Sequence, residues 1–306
     1  MRLFEKEQRV VRVAGVSFGG QPSENPVVMV GSLFYRGHKA VTDHRRGAFD
    51  RKVVEGEVQT VLEWSDKTGL PVAFDLVAQH ADALKEYVSF AADSFDAPFL
   101  VDGTNDEVRL PAMEAAAEWG LLDRAILNSI DAKATDASLA EYKALGVRHA
   151  VLLAFESRAL LPEKKLSLLT SVEGKVKGLV QKAGEAGIRD FLVDVAVLDV
   201  PSMAFCARTQ QLVKERHGYP VGCAPANAVF EWERARGLFG REGRWSCAAA
   251  ACVFLADWWA DFILYGPARL APQIFPAVAT REAIGAYYQR RINRVDVRSD
   301  VLQRLF

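Results

Sequence analysis

The chain contains no Cys-x-x-Cys pair, no Gly-x-Gly-x-x-Gly run and few histidines, and charges of neither sign prevail. Its four cysteines, Cys206, Cys223, Cys247 and Cys252, suit neither a disulfide framework nor a structural zinc site; Cys247 and Cys252 stand five apart and face different sides of a helix. They read as small core residues of a reducing compartment. The missing glycine fingerprint argues against dinucleotide binding. With 38 Lys and Arg against 39 Asp and Glu, the net charge of -1 leaves no electrostatic footprint for nucleic acid. The most hydrophobic stretch, Cys247 to Gly266, is interrupted by Asp257 and Asp261, so it predicts a buried helix followed by a strand rather than a membrane span. The start, MRLFEKEQRV, lacks the apolar segment of a secretory signal, and a cytoplasmic location is expected. No two of the five histidines fall close together in one strand pattern, and His149 and His217 precede their strands. That argues against a histidine-held transition metal at a barrel mouth.

What the chain does have is alternation. Eight short, nearly continuous apolar runs stand out: PVVMVGSLF, LPVAFDLVA, PFLVDG, RAILNSI, HAVLLAF, DFLVDVAVL, YPVGCA and DFILYGP. Strands buried on both faces of a parallel sheet read this way. Between them lie segments with helical spacing, among them ADALKEYVSFAADSF, DEVRLPAMEAAAEWG, DASLAEYKALG and KVKGLVQKAGEAG. Gly69, Gly146, Gly187 and Gly218 close helices just before the next strand, where a left-handed cap favours a residue without Cβ. Eight such units in 306 residues, half of them hydrophobic, predict one (β/α)8 TIM barrel as a single domain over residues 1–306. The alternating segment RVVRVAGVSFGGQ predicts a β-hairpin that covers the N-terminal end of the barrel.

Polar residues recur at the ends of these runs: Asp75, Asp102, Asn128, Asp194 and Asn227, with Ser32 and Gln79 near the first two. In a barrel that end is where chemistry is kept. Each has a plainer reading. Asp102 before GTNDE caps a helix, and Asn128 in NSID stabilises a turn. Asp75, Asp102 and Asp194 together also suit Mg2+. If they bind no metal, buried carboxylates need donors to offset their desolvation. The 2-amino group and adjacent ring N–H of a pterin form a planar donor pair that a carboxylate accepts in parallel, as it accepts an arginine fork. Asn128 and Asn227 then satisfy the ring's mixed donors and acceptors.

The segments FGGQP (18–22), VGSLFYRGHK (30–39), SDKTG (65–69), DAPFLVDG (96–103), RAILNSI (124–130), VGCAPANA (221–228), LYGP and FPAVA, in this order, resemble the MtrH subunit of tetrahydromethanopterin S-methyltransferase and its methyltetrahydrofolate:corrinoid methyltransferase relatives. The resemblance runs along essentially the whole chain. It implies a barrel, typically homodimeric, that holds a reduced pterin in its mouth and exchanges the N5 methyl group with the cobalt of a corrinoid carried on a separate small protein. No tightly bound cofactor and no metal are implied. Related pterin-binding barrels carry Asp, Asn, Asp and Asn on strands three, four, six and seven, and by motif these fall on Asp102, Asn128, Asp194 and Asn227, with Asn227, facing N5, and Asp194 expected to be catalytic. The substrate expected is tetrahydrofolate, giving methyltetrahydrofolate. The alternatives are a tetrahydromethanopterin-specific subunit, a Mg-dependent barrel lyase or hydrolase, and a non-catalytic pterin-binding subunit.

Overall fold

The structure, a computed structural model, describes residues 3–170 and 177–306. Eight parallel strands close into a barrel: β1 Val28–Leu33, β2 Val72–Ala78, β3 Phe99–Gly103, β4 Ala125–Ile130, β5 His149–Leu153, β6 Asp190–Asp194, β7 Val221–Cys223 and β8 Phe262–Pro267. They neighbour one another in chain order, and β8 pairs β1 to close the ring. Every one of the eight apolar runs supplies its expected strand. The helices around the barrel are α1 Arg51–Thr68, α2 Ala81–Ser94, α3 Asp106–Glu118, α4 Asp136–Leu145, α5 Pro162–Ser167, α6 Leu179–Glu185, α7 Met203–Arg216, α8 Pro225–Glu231, α9 Glu233–Asp257, α10 Ala271–Tyr288 and α11 Val301–Leu305. Of the expected helix in KVKGLVQKAGEAG, Lys175 and Val176 lie outside the described residues, and α6 begins at Leu179.

Local chemistry sets the helix ends. Asp50 accepts from the Val53 N–H to start α1, and Thr135 and Ser138 form a reciprocal capping box at α4. Gly69 and Gly146 end those helices at φ 74° and 75°, the left-handed region anticipated for them.

The continuous apolar runs resolve into two sets of alternate residues. On β2, Phe74 and Leu76 face the helices, whereas Ala73 belongs to the interior cluster with Val28 and Val30 of β1, Leu100 of β3, Ile126 of β4 and Leu192 of β6. Both faces of each strand are therefore dry, which is why no polar alternation shows in the sequence. The hairpin Val10–Val13 and Val16–Gly19 turns at Ala14 and Gly15, both at positive φ as a two-residue hairpin loop requires. It puts Val11, Val13 and Phe18 into the interior cluster, with Phe18 edge-on to Phe262 at 6.4 Å. The N-terminal end of the barrel is thereby plugged.

One ion pair ties that end together. Lys214 of α7, 1% exposed, places Nζ 2.9 Å from both carboxylate oxygens of Asp261 and 2.9 Å from the Gly20 carbonyl, which follows the hairpin. Asp261 also accepts from the Val221 N–H at the start of β7. Removing one partner of such a pair leaves a buried charge uncompensated, at a cost of about 3–5 kcal/mol. Lys214→Met is expected to lower the urea unfolding midpoint accordingly, with the slope of the transition unchanged.

Candidate functional site

Side chains two residues apart on a strand share a face. Continuing the interior apolar layer by one step toward the strands' C-terminal ends leads from Val30 to Ser32, Ala73 to Asp75, Leu100 to Asp102, Ile126 to Asn128 and Leu192 to Asp194. Five of the seven residues singled out from the sequence thus form one polar layer directly above an apolar floor. Strand pairing sets Ser32 beside Asp75 and Asp102 beside Asn128.

The hydrogen bonds within this layer are few. Ser32 Oγ donates to Asp75 Oδ2 at 2.9 Å, and the Asn128 side chain also hydrogen-bonds Asp75. Among the described residues Asp75 Oδ1 is buried without a hydrogen-bond partner, and the residue is only 2% exposed. Burial, reinforced by the charge of Asp194 and opposed by the bonds from Ser32 and Asn128, raises its pKa to about 7. Asp102 is raised well above the usual carboxylate range by desolvation and by Asp75, against the nearby Arg109 guanidinium. Asp194 is raised to about 6 by burial, which outweighs the bond it accepts from the Ala196 N–H at 2.7 Å and the attraction of Lys165. Three acids close together in a dry setting cannot all ionise cheaply.

Two cations border the layer that the sequence did not reveal. Arg109, buried in the first turn of α3, donates to the Gly103 carbonyl at 3.0 Å and to Asp106 at 2.7 Å. Lys165 of α5, also buried, donates to the carbonyls of Val195 and Ala196 at 2.5 and 2.7 Å, holding the turn that follows β6. Neither carries a local signature; each reads as an ordinary surface charge until the loops fold over it.

The plainer readings sort differently. Asn105, not Asp102, caps α3, and Asp131 rather than Asn128 accepts the turn N–H, from Lys133. Asp194 does stabilise its own turn through Ala196. His38 braces the loop after β1: Nδ1 accepts from the Phe34 N–H at 3.0 Å and Nε2 meets Glu57 at 3.2 Å. Gln79 lies beyond β2, exposed, in the wall of a cavity of about 360 Å3 that also touches Asp102, Thr104 and Tyr87. Asn227 departs from expectation: β7 ends at Cys223, and Asn227 sits in the first turns of α8, exposed, outside the polar layer. The strand is short because Pro225 starts a helix immediately after it. Among the described residues no three His, Cys, Asp or Glu side chains converge so as to hold a metal ion, so the Mg2+ reading gains no support.

The raised acids set a sign for pH dependence. A carboxyl whose pKa is higher in the folded than in the unfolded chain burdens the fold once it ionises, so stability falls as pH rises from about 4 toward 7. Asp75→Asn removes that burden while keeping a similar shape. Its thermal midpoint relative to the parent is expected to be higher at pH 8 than at pH 5, in paired calorimetric scans.

Known proteins share this outline. Solved barrels with a similar course include dihydropteroate synthase from Xanthomonas albilineans (TM-score 0.61, 16% identity, 92% of this chain and 98% of that chain) and from Yersinia pestis bound to a pterine-sulfa conjugate (TM-score 0.61, 13% identity, 90% and 99%). At such identity these show the fold. In sequence, the H subunit of tetrahydromethanopterin S-methyltransferase from Methanothermobacter thermautotrophicus is 36% identical over 280 residues, 90% of each chain, and that from Methanopyrus kandleri 35% over 293 residues, 91% of each. The pattern of the tetrahydromethanopterin S-methyltransferase MtrH subunit matches residues 6–297, and the chain belongs to that family.

Proposed function

We propose that this chain, as a single domain over residues 1–306, moves a methyl group between N5 of a reduced pterin held at the barrel mouth and the cobalt of a corrinoid carried by a partner protein. The observation that carries the reading is the layer of Asp102, Asn128 and Asp194 over a dry floor, in a family named for methyl transfer involving a tetrahydropterin. Burial raises both acids, Asp102 well above the usual carboxylate range; Arg109 beside Asp102 and Lys165 beside Asp194 oppose that rise, and the N–H donors of a bound ring oppose it further. Ionised, they accept the paired N–H donors of the ring's pyrimidine edge; Asn128 supplies an amide with both a donor and an acceptor. Asp75, Ser32 and Gln79 are proposed as further contacts, the first two inside the layer and the third on its rim.

A methyl group on a tertiary amine leaves poorly, because the departing nitrogen must be stabilised as the C–N bond breaks. Only interactions stronger in the transition state than in the ground state accelerate that step. Asn227, on α8 beside the mouth, is the amide we assign to a hydrogen bond with N5; it strengthens as charge develops but delivers no net proton. The rest of the rate comes from alignment of pterin and corrinoid for in-line displacement, worth up to about 7–11 kcal/mol in the best intramolecular cases. An apolar groove of about 520 Å3 between Leu198, Pro201 and Trp232, beside α8, supports docking of a protein-borne corrinoid. Among the described residues no helix is long and apolar enough to cross a membrane, and a cytoplasmic location is proposed. A homodimer is proposed too; Ile284 and Tyr287 of α10 and Ile292 beyond it are all more than half exposed, which suits an interface.

The relatives are named for tetrahydromethanopterin, so they lend no support to tetrahydrofolate in particular, which the alanine- and arginine-rich composition favours. The two share the ring that the aspartates address. The purified chain is expected to methylate a reduced pterin from methylcobalamin, and comparing the two pterins at equal concentration assigns the tail. No methylated product from either sinks the proposal. Asp102→Asn and Asp194→Asn are each expected to weaken pterin binding about tenfold or more in fluorescence titration, since a charge-assisted bond becomes a neutral one.

A further inference from the structure

The cavity of about 360 Å3 beside Asp102 opens between the loop that follows β1 and the ends of β2 and β3. Phe34, Val77 and Ala78 give it an apolar wall, while Arg36, His44, Gln79 and Thr104, all exposed, form a polar side. Asp102 borders this cavity and also belongs to the polar layer, so a ligand held by the layer has the cavity directly beside it. Tyr87 of α2 completes the wall. Its ring stacks on Phe34 at 3.8 Å and the residue is 1% exposed, yet among the described residues its hydroxyl is buried without a hydrogen-bond partner. Such an unpaired group is costly until a ligand supplies an acceptor. Burial, reinforced by the charge of Asp43, pushes its pKa up to about 12, so at neutral pH it remains a donor. Phe34 is held from the other side: it sits at φ 61°, uncommon for a bulky residue, and His38 Nδ1 accepts its N–H at 3.0 Å. Charge along this rim has one sign. Residues 36–47 carry Arg36, Lys39, Arg45 and Arg46 with a single acid, Asp43, whose carboxylate accepts the N–H groups of Arg45 and Arg46. Among the described residues no ion pair engages any of these four cations. In a chain of net charge -1, that is a local excess of positive charge beside a cavity with an unused donor.

We infer, on the pterin reading given above, that this cavity holds the acidic side arm of the substrate. Arg36 attracts the arm's anionic groups, and His44, Gln79, Thr104 and the Tyr87 hydroxyl donate hydrogen bonds to it. The wall of Phe34, Val77 and Ala78 packs the aromatic spacer that joins those groups to the ring. Lys39, Arg45 and Arg46 add to the field that draws the arm to this side of the mouth. Tetrahydrofolate and tetrahydromethanopterin both carry an aryl spacer and an acidic end, made of carboxylates in the first and of carboxylates with a phosphate in the second. The arm leaves the ring away from its pyrimidine edge and turns back over the ends of β1 and β2 to reach the rim. Ring and arm are thus held by different parts of the mouth: the ring by the inward-facing layer, the arm by the loop after β1 and the start of α2.

The test is calorimetric titration with tetrahydrofolate, tetrahydromethanopterin and 6-methyltetrahydropterin, which has the ring and no acidic arm. The parent is expected to bind an armed pterin about tenfold or more tighter than the armless one. That gap is expected to narrow as salt is raised, because the rim cations are exposed. Arg36→Gln is expected to weaken the armed pterin about tenfold and the armless one by less than about twofold. Tyr87→Phe is expected to weaken the armed pterin about fivefold without lowering the thermal midpoint, since the free protein loses no hydrogen bond. Asp102→Asn, which addresses the ring, is expected to weaken armed and armless pterins alike. A larger Arg36→Gln loss for tetrahydromethanopterin than for tetrahydrofolate assigns the phosphate to this cavity, and an equal loss assigns the carboxylates. An armed pterin that binds no tighter than the armless one, an Arg36→Gln variant that spares the armed pterins, or a loss shared equally by the armless one each overturns the inference. Where 6-methyltetrahydropterin binds and Asp102→Asn weakens it but the arm adds nothing, the inference alone falls; binding of no reduced pterin removes the underlying reading as well.

Discussion

The structure is governed by the cost of placing carboxylates above a dry barrel interior. The floor of Val30, Ala73, Leu100, Ile126 and Leu192, sealed below by the hairpin, admits no water to solvate the next layer from beneath. Asp75, Asp102 and Asp194 must then find partners sideways or above, or hold protons. All three have raised pKa values for that reason. A site with raised carboxyls and, among the described residues, a buried acceptor left without a donor is receptive to a ligand rich in planar N–H donors.

The surrounding elements make that arrangement tolerable. Arg109 and Lys165 bring positive charge to two of the three acids while spending their own hydrogen bonds on nearby backbone carbonyls and, for Arg109, Asp106. At the opposite end, Lys214 and Asp261 fasten α7, the hairpin and the starts of β7 and β8. The barrel is therefore rigid at its plugged end and chemically demanding at its open one. That division is the usual one for this architecture: stability below, chemistry at the strand ends.

Much of the barrel was legible because both faces of each strand are apolar and each helix ends on a recognisable turn. The same periodicity placed Asp75, Asp102, Asn128 and Asp194 near strand ends, and the two-residue step of a strand then fixed which face they shared. Asn227 reads as a fifth strand-end residue and Gln79 as a second contact near β2, yet Gln79 lies on the rim and Asn227 on a helix. The residues around Asn227 offered little warning, since CAPANA continues an apolar run up to Pro225, where the helix begins. Arg109 and Lys165 were illegible for another reason. A lone basic residue on a short helix has no pattern, and its burial depends on loops distant along the chain.

The sequence by itself determined the barrel, its hairpin plug and its ring of inward-facing acids and amides, because alternation, capping and apolar runs are local properties of neighbouring residues. The family likeness was legible too, in motifs spread over the chain. Only the tertiary structure decided which acids have a cation nearby and which, among the described residues, has none. Electrostatic interactions act between groups brought close in space, and Asp75, Asp102 and Asp194 come from strands separated by whole helices. What singles out Asp75 is the company it keeps across the barrel, which no stretch of sequence around it contains.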